Sequence, residues 1–273
     1  MLPQDHPGFY DLLYRSRRDK IASIANSYSH GDEVGEVPYI PEEHKVWRET
    51  HRVLADLYPF FACKEYNRAF REFDLEKDRI PQFSELNRKL SAYSFSLSPV
   101  VGLIPPREFL ERLSQNTMLC TQYIRHHSIP EYTPEPDVIH EVFGHAVFFL
   151  NNNLRTINNL FGKVAQKSTD REIEKLIRLY WYTIEFGVCL ENDEVKAYGA
   201  GLLSSTKELI SISKVPLSLF NISEMENARF DTEQPQERLF CAKSFDQVVE
   251  ELTIYLENLL QERDQASPAE IVK

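Results

Sequence analysis

Residues 132–150 read YTPEPDVIHEVFGHAVFFL, and the reading of the whole chain turns on them. The opening YTPEP cannot be regular structure, because Pro134 and Pro136 fix φ and remove backbone donors. Asp137 can then cap a helix running to about Leu150. That helix is apolar enough to be buried, yet it carries His140 and His145. Two histidines in an apolar helix are costly unless something satisfies them. A metal ion would.

Spacing narrows the choice of site. A zinc-protease helix carries His-Glu-x-x-His, with the glutamate as general base. Here the string His140-Glu141-Val142-Phe143-Gly144-His145 is one residue longer. On a regular helix five residues turn by about 500°, or about 140° net. Both rings still reach one ion if His140 sits at the first turn, where Asp137 and the YTPEP turn place it. Gly144 permits close approach to another backbone or to the ion.

A third ligand is available in WYTIEFG, residues 181–187, at the end of a helix predicted over 171–188. Glu185 lies there among Trp181, Tyr182, Ile184 and Phe186, where an unpaired carboxylate is disfavoured. Two histidines and one carboxylate with open positions describe the non-haem iron facial triad. The same set occurs in catalytic zinc sites. Spacing leans to iron and leaves open a zinc hydrolase with Glu141 as base. It also leaves two satisfied core histidines with Glu185 on a helix surface. His6, His30, His44 and His51 lie in polar or helical stretches with no candidate ligand nearby in the sequence, and His127 beside His126 reads as solvated. Cys63, Cys120, Cys189 and Cys241 form no Cys-x-x-Cys pair, so they read as isolated buried thiols of a reducing compartment.

Around this core the pattern is mainly α with a few short β-strands. Residues 1–9 read as an extended lead-in, 11–28 and 42–61 as helices, and 31–41 as a loop. Residues 65–73, 82–93 and 107–113 read as short helices, 118–124 as a strand, 196–203 as a flexible apolar turn or short strand, and 245–260 as a final helix. The chain has 273 residues and a formal charge of −11, which argues against non-specific nucleic-acid binding. Hydrophobic residues make up 42% and aromatics 12%, so a packed core is expected. Only 9 glycines leave little room for phosphate-cradling loops. No apolar stretch approaches a membrane span, and no signal peptide is visible. The expected location is the cytoplasm.

Three longer strings share an order and spacing. QYIRHHSIPEYTPEPDVIHEVFGH (122–145), IEKLIRLYWYTIEFG (173–187) and KAYGAGLLSS (196–205) together resemble the catalytic core of the pterin-dependent aromatic amino acid hydroxylases. DHPGFYDLLYRSRR (5–18) and GLIPPREFL (102–110) extend the resemblance, which runs from Asp5 to about Leu260 and is strongest to members that convert phenylalanine to tyrosine. The resemblance implies a mostly helical domain holding Fe(II), tetrahydrobiopterin and a free aromatic amino acid, with O₂ as co-substrate. It makes His140, His145 and Glu185 the iron ligands and favours iron over zinc.

The resemblance also implies other roles. Arg125 corresponds to an arginine that holds the substrate carboxylate, as a two-bond guanidinium fork can. Tyr132, Thr133, Pro136, Trp181, Phe186 and Gly201 correspond to substrate-site residues, and Ser204 to a serine supporting the first histidine. Phe109 corresponds to the aromatic that stacks on the pterin. Glu141 and Tyr180 border that site, and the backbone of Gly102, Leu103 and Ile104 meets the pterin edge. Three positions depart from the pattern. Pro105 and Pro106 replace two serines of animal members, Leu119 replaces a histidine, and the loop 228–235, with Asp231, Thr232 and Glu233, aligns poorly. That loop bears on the choice among phenylalanine, tyrosine and tryptophan. Residues 1–273 are expected to form one catalytic domain, without an N-terminal regulatory domain or a C-terminal tetramerisation helix, and to act as a monomer. A catalytically idle amino-acid- or pterin-binding protein is the non-enzymatic alternative.

Overall fold

The computed structural model describes residues 4, 6–29, 31–231 and 234–265. His30, Thr232 and Glu233 lie outside the described residues. The fold is mainly helical with short strands, as expected. Among the described residues no helix is long and apolar enough to cross a membrane.

The long helix Pro41–Phe61 shows how sequence becomes structure here. Pro41 suits the first helical position, and the Glu43 carboxylate accepts from the Ile40 N–H at 2.9 Å. Val46, Trp47, Thr50, Leu54 and Tyr58 then recur at helical spacing and are all buried. The helix Leu12–Asn26 begins where the Asp11 carboxylate accepts from Leu13 N at 3.0 Å and Tyr14 N at 2.9 Å. The last helix is longer than predicted, Phe245–Gln265.

Two sheets are small. Ser96–Pro99 pairs in parallel with Thr117–Cys120. A four-stranded sheet runs in the order Glu194–Ala197, Val188–Glu191, Leu239–Ala242, Leu217–Leu219, the first pair antiparallel and the others parallel. A large apolar cluster, from Trp47 and Leu54 through Phe143 and Phe161 to Leu256, fills the interior.

Several expectations need correction. The lead-in is not extended, because Pro7–Tyr10 forms one helical turn capped by His6 Nδ1, which accepts from Gly8 N at 3.0 Å. The strand predicted over 118–124 stops at Cys120. Beyond it, side chains take the backbone groups. Glu141 accepts from Thr121 N, while the hydroxyls of Tyr39 and Tyr14 donate to Gln122 O and Ile124 O. No ladder is needed once those groups are satisfied. Residues 196–203 are not a flexible turn. They form the end of a strand and the buried helix Ala200–Leu203. The glycines there serve close packing: a Cβ on Gly199 would lie 2.4 Å from the Glu185 carbonyl oxygen. The helix Asn152–Ala165 was not anticipated, although the Asn151 cap and the apolar series Leu154, Ile157, Phe161 and Val164 carry it.

Candidate active site

The segment after Asp137 is not a regular α-helix. His140–Ala146 is a π-helix, in which the Val147 N–H donates to Val142 O, five residues back. Residues five apart therefore lie on one face, and the 140° mismatch of an α-helix disappears. Asp137 Oδ1 accepts from the His140 N–H at 3.0 Å and holds the first turn. The Tyr66 hydroxyl donates to Phe143 O at 2.6 Å, bracing the wide turn. Gly144 admits the helix Ala200–Leu203, since a Cβ there would lie 2.8 Å from Ala200 Cβ and O.

The predicted helix over 171–188 ends the same way. It is α-helical over Asp170–Tyr180 and a π-helix over Trp181–Glu185, with the Phe186 N–H donating to Trp181 O at 2.9 Å. The two wide turns bring three side chains together. The Nε2 atoms of His140 and His145 lie 3.2 Å apart. One Glu185 oxygen lies 3.5 Å from His140 Nε2 and the other 3.2 Å from His145 Nε2. Two imidazole nitrogens aimed at each other beside a carboxylate form a donor set for a cation.

Tautomer and charge agree with that reading. The Ser204 hydroxyl donates to Ala200 O at 2.8 Å, so its oxygen is left to accept from His140 Nδ1 at 3.1 Å. The His140 proton then sits on Nδ1 and the Nε2 lone pair faces inward. Burial pulls the His140 pKa down to about 4, which keeps the ring neutral. Burial acts the same way on His145, but the charge of Glu185 outweighs it and the pKa is raised. For Glu185 burial works upward, and His145 more than offsets it. Glu141 also approaches both histidines. However, its Oε1 is occupied by Thr121 N at 3.0 Å and Thr121 Oγ1 at 3.2 Å, and burial pushes its pKa up to about 7.

These donors open onto a cavity of about 360 Å³, and every residue assigned above to the iron, substrate or pterin lines it. Trp181 lies between Phe186 and Phe230, with ring centroids 4.6 and 4.7 Å away. Gly201 gives the Phe186 ring room, because a Cβ there would come within 2.5 Å of it. Phe109 meets Tyr180 edge-on at 5.4 Å, and the Tyr180 hydroxyl donates to Asn158 Oδ1 at 2.9 Å. Tyr132 and Thr133 line the cavity with Pro136, and Gly102, Leu103 and Ile104 form its other lip. Leu119 and Pro106, two of the departing positions, are also on the wall.

Arg125 differs from its expected state. It is buried, and its fork is already paired with Asp137, Nε to Oδ2 at 3.0 Å and Nη2 to Oδ1 at 2.8 Å. Its Nη1 donates to Pro130 O at 3.2 Å and Ser204 O at 3.0 Å. Of the five guanidinium N–H groups, about one on Nη2 is left for a ligand, so a two-bond fork to substrate does not fit this arrangement. Phe230, Gln236 and Glu208 also line the cavity, and sequence reading missed them. Gln236 accepts from Trp181 Nε1 at 3.0 Å. Glu208 follows Ser204 by four residues but lies on a separate helical turn, Thr206–Leu209, so no local spacing marked it.

A family model described as biopterin-dependent aromatic amino acid hydroxylase matches residues 1–265. Tyrosine 3-monooxygenase of Canis lupus familiaris is 41% identical over 261 residues, 93% of this chain and 53% of that protein. The chloroplastic phenylalanine 4-monooxygenase of Pinus taeda is 44% identical over 209 residues, 76% of this chain and 59% of that protein. The chain thus spans about half the length of the curated relatives it matches. Among solved structures, Chromobacterium violaceum phenylalanine hydroxylase with bound iron(III) and oxidised cofactor 7,8-dihydrobiopterin matches with a TM-score of 0.77 at 29% identity. That match covers 91% of this chain and 96% of that one.

Proposed function

This chain belongs to the biopterin-dependent aromatic amino acid hydroxylases, and from that premise we propose that it converts free phenylalanine to tyrosine with Fe(II), a tetrahydropterin and O₂. His140, His145 and Glu185 would hold the iron, two imidazole nitrogens and a carboxylate being a donor set suited to it. When bound, the iron would supply the redox chemistry by which O₂ is reduced with two electrons from the tetrahydropterin, one oxygen atom going to the ring and the other leaving with the oxidised pterin. The protein's own part is to bind, orient and exclude water. Ser204 keeps His140 in the ligating tautomer. Pro136, Trp181 and Phe186 wall the ring, and Gly201 keeps that wall open. Phe109 takes the pterin face, the backbone of Gly102, Leu103 and Ile104 takes its edge, and Glu141 and Tyr180 border it. Arg125 offers its remaining Nη2 N–H to the substrate carboxylate, with Tyr132 and Thr133 alongside. All these groups come from one chain, so the reaction needs no second copy. The zinc-hydrolase alternative fares worse, since the family model that matches the chain is that of biopterin-dependent hydroxylases.

The observation that favours phenylalanine is the state of the aromatic wall. Its polar atoms, Trp181 Nε1 and the Tyr180 hydroxyl, already bond Gln236 and Asn158. An unsubstituted ring leaves no polar group unmatched there, whereas a phenol or indole must find a partner. A substrate panel tests this. Phenylalanine should exceed tyrosine and tryptophan in kcat/KM by about 10–100-fold, the range an apolar pocket achieves against an added hydroxyl. Tyrosine should form only with Fe(II), tetrahydropterin and O₂ together. A preference for tyrosine would replace this substrate assignment with that of the other relatives.

Ser204→Ala should weaken iron binding by about 10–100-fold, the usual loss when the partner of a ligating imidazole is removed. Competition against a chelator reads this directly. Unchanged affinity would mean that the Nδ1 contact does no orienting.

A further inference from the structure

Among the described residues Glu208 is a buried carboxylate that forms no salt bridge. It sits on the one-turn helix Thr206–Leu209, is 8% exposed, and lines the cavity beside the histidine–glutamate cluster. Its backbone is fixed, because Ser205 Oγ accepts from the Glu208 N–H at 3.2 Å and donates to Glu131 O at 3.0 Å. Its Oε1 accepts one long bond, from the Gln236 N–H at 3.3 Å. Among the described residues its Oε2 has no hydrogen-bond donor.

The neighbouring buried carboxylates are matched. Asp137 is paired with Arg125, Glu135 with Arg18, and Glu185 with His145, while Glu141 accepts twice from Thr121. A buried carboxylate with a single weak donor is expensive to keep. Burial pushes the Glu208 pKa up to about 7, with the Gln236 N–H and the charge of Lys207 acting the other way. Packing does not require a charge at this position.

A free amino acid supplies what is missing. Its ammonium and carboxylate groups are attached to the same carbon, so a site that reads it needs an anion and a donor close together. Arg125 Nη1 bonds the carbonyl of Ser204, and Glu208 lies four residues further along the chain, on the next helical turn. The guanidinium and the unmatched carboxylate line the same cavity.

We propose that Glu208 receives the α-ammonium group of the amino acid substrate and so selects free amino acids over aromatic acids that lack it. This rests on the reading that the cavity takes a free aromatic amino acid. It adds a residue that neither the resemblance nor the relatives' names point to.

Titration calorimetry with phenylalanine and with 3-phenylpropionate, which lacks only the ammonium group, tests the assignment. The wild-type protein should bind phenylalanine at least about 10-fold more tightly than 3-phenylpropionate, as expected for a buried charge contact. Glu208→Gln should lose about 30-fold or more in affinity for phenylalanine, while 3-phenylpropionate binds as before or more tightly. Retained 3-phenylpropionate binding shows that the cavity is intact. The wild-type comparison alone stands if the variant does not fold. Equal wild-type affinities, an unchanged phenylalanine affinity in Glu208→Gln, or equal weakening of both ligands would overturn the assignment. Its failure is distinguishable from failure of the hydroxylase reading. Tyrosine formation by the wild-type protein with no ammonium preference sinks Glu208 alone. Ammonium-dependent binding without turnover of any aromatic amino acid sinks the hydroxylase reading alone.

Discussion

Glu185→Ala is expected to bring the protein from about one iron per chain to almost none, and to lower turnover by more than about a thousandfold. The reason lies in the contacts of both Glu185 oxygens, 3.5 Å from His140 Nε2 and 3.2 Å from His145 Nε2. Without the carboxylate, two neutral donors face one another and no anion balances a divalent charge. The fold should survive, since Glu185 closes a π-turn whose backbone bond runs from the Phe186 N–H to Trp181 O and does not involve its side chain. Metal analysis together with circular dichroism separates these effects. Full iron content with full turnover in this variant would remove Glu185 from the ligand set and turn attention to Glu141.

The second large effect is on stability. Asp137→Ala should cost about 3–5 kcal/mol in urea denaturation, the usual penalty for stranding one half of a buried ion pair. The side chains of Arg125 and Asp137 are 1% and 0% exposed, so water cannot replace the lost carboxylate. Asp137 also accepts from the Arg125 N–H at 2.7 Å and the His140 N–H at 3.0 Å. The change therefore loosens the first turn of the π-helix as well. The pair should behave non-additively. Replacing Arg125 by methionine and Asp137 by leucine together is expected to cost less than removing Asp137 alone, because no charge is left stranded. A loss below about 1 kcal/mol in Asp137→Ala would mean that the pair is screened like a surface one.

Much of the site was legible in the residues. His140, His145 and Glu185 stand out because polar groups in apolar runs demand a partner, and that demand is local in sequence. The helices 12–26 and 41–61 were legible for the same reason, since caps and apolar spacing act within a few residues. The helix Asn152–Ala165 carried equally local signals, so its omission was a failure of reading rather than of information.

What lay beyond reading shares a different cause. An α-helix is the default for such segments, and a π-turn persists only when distant groups compensate for it. Here Tyr66 bonds Phe143 O, and Ala200 packs on Gly144. The strand that stops at Cys120 does so because Tyr14, Tyr39 and Glu141, remote in sequence, take the next backbone groups. Arg125 lies on the cavity wall, but its partner was not foreseeable, as Asp137 reaches it only across the YTPEP turn. Glu208 and Gln236 are 28 residues apart and meet through one bond, and Phe230 reaches Trp181 from another segment again.

Residue chemistry and short-range spacing thus pointed to the groups that could hold a metal and to where helices begin. Long-range packing settled how wide the helical turns are, which charges are already matched and which carboxylate is left open. The physical reason is range. Capping and periodicity act over one or two turns, whereas burial and charge pairing depend on whichever distant side chains the fold brings into contact.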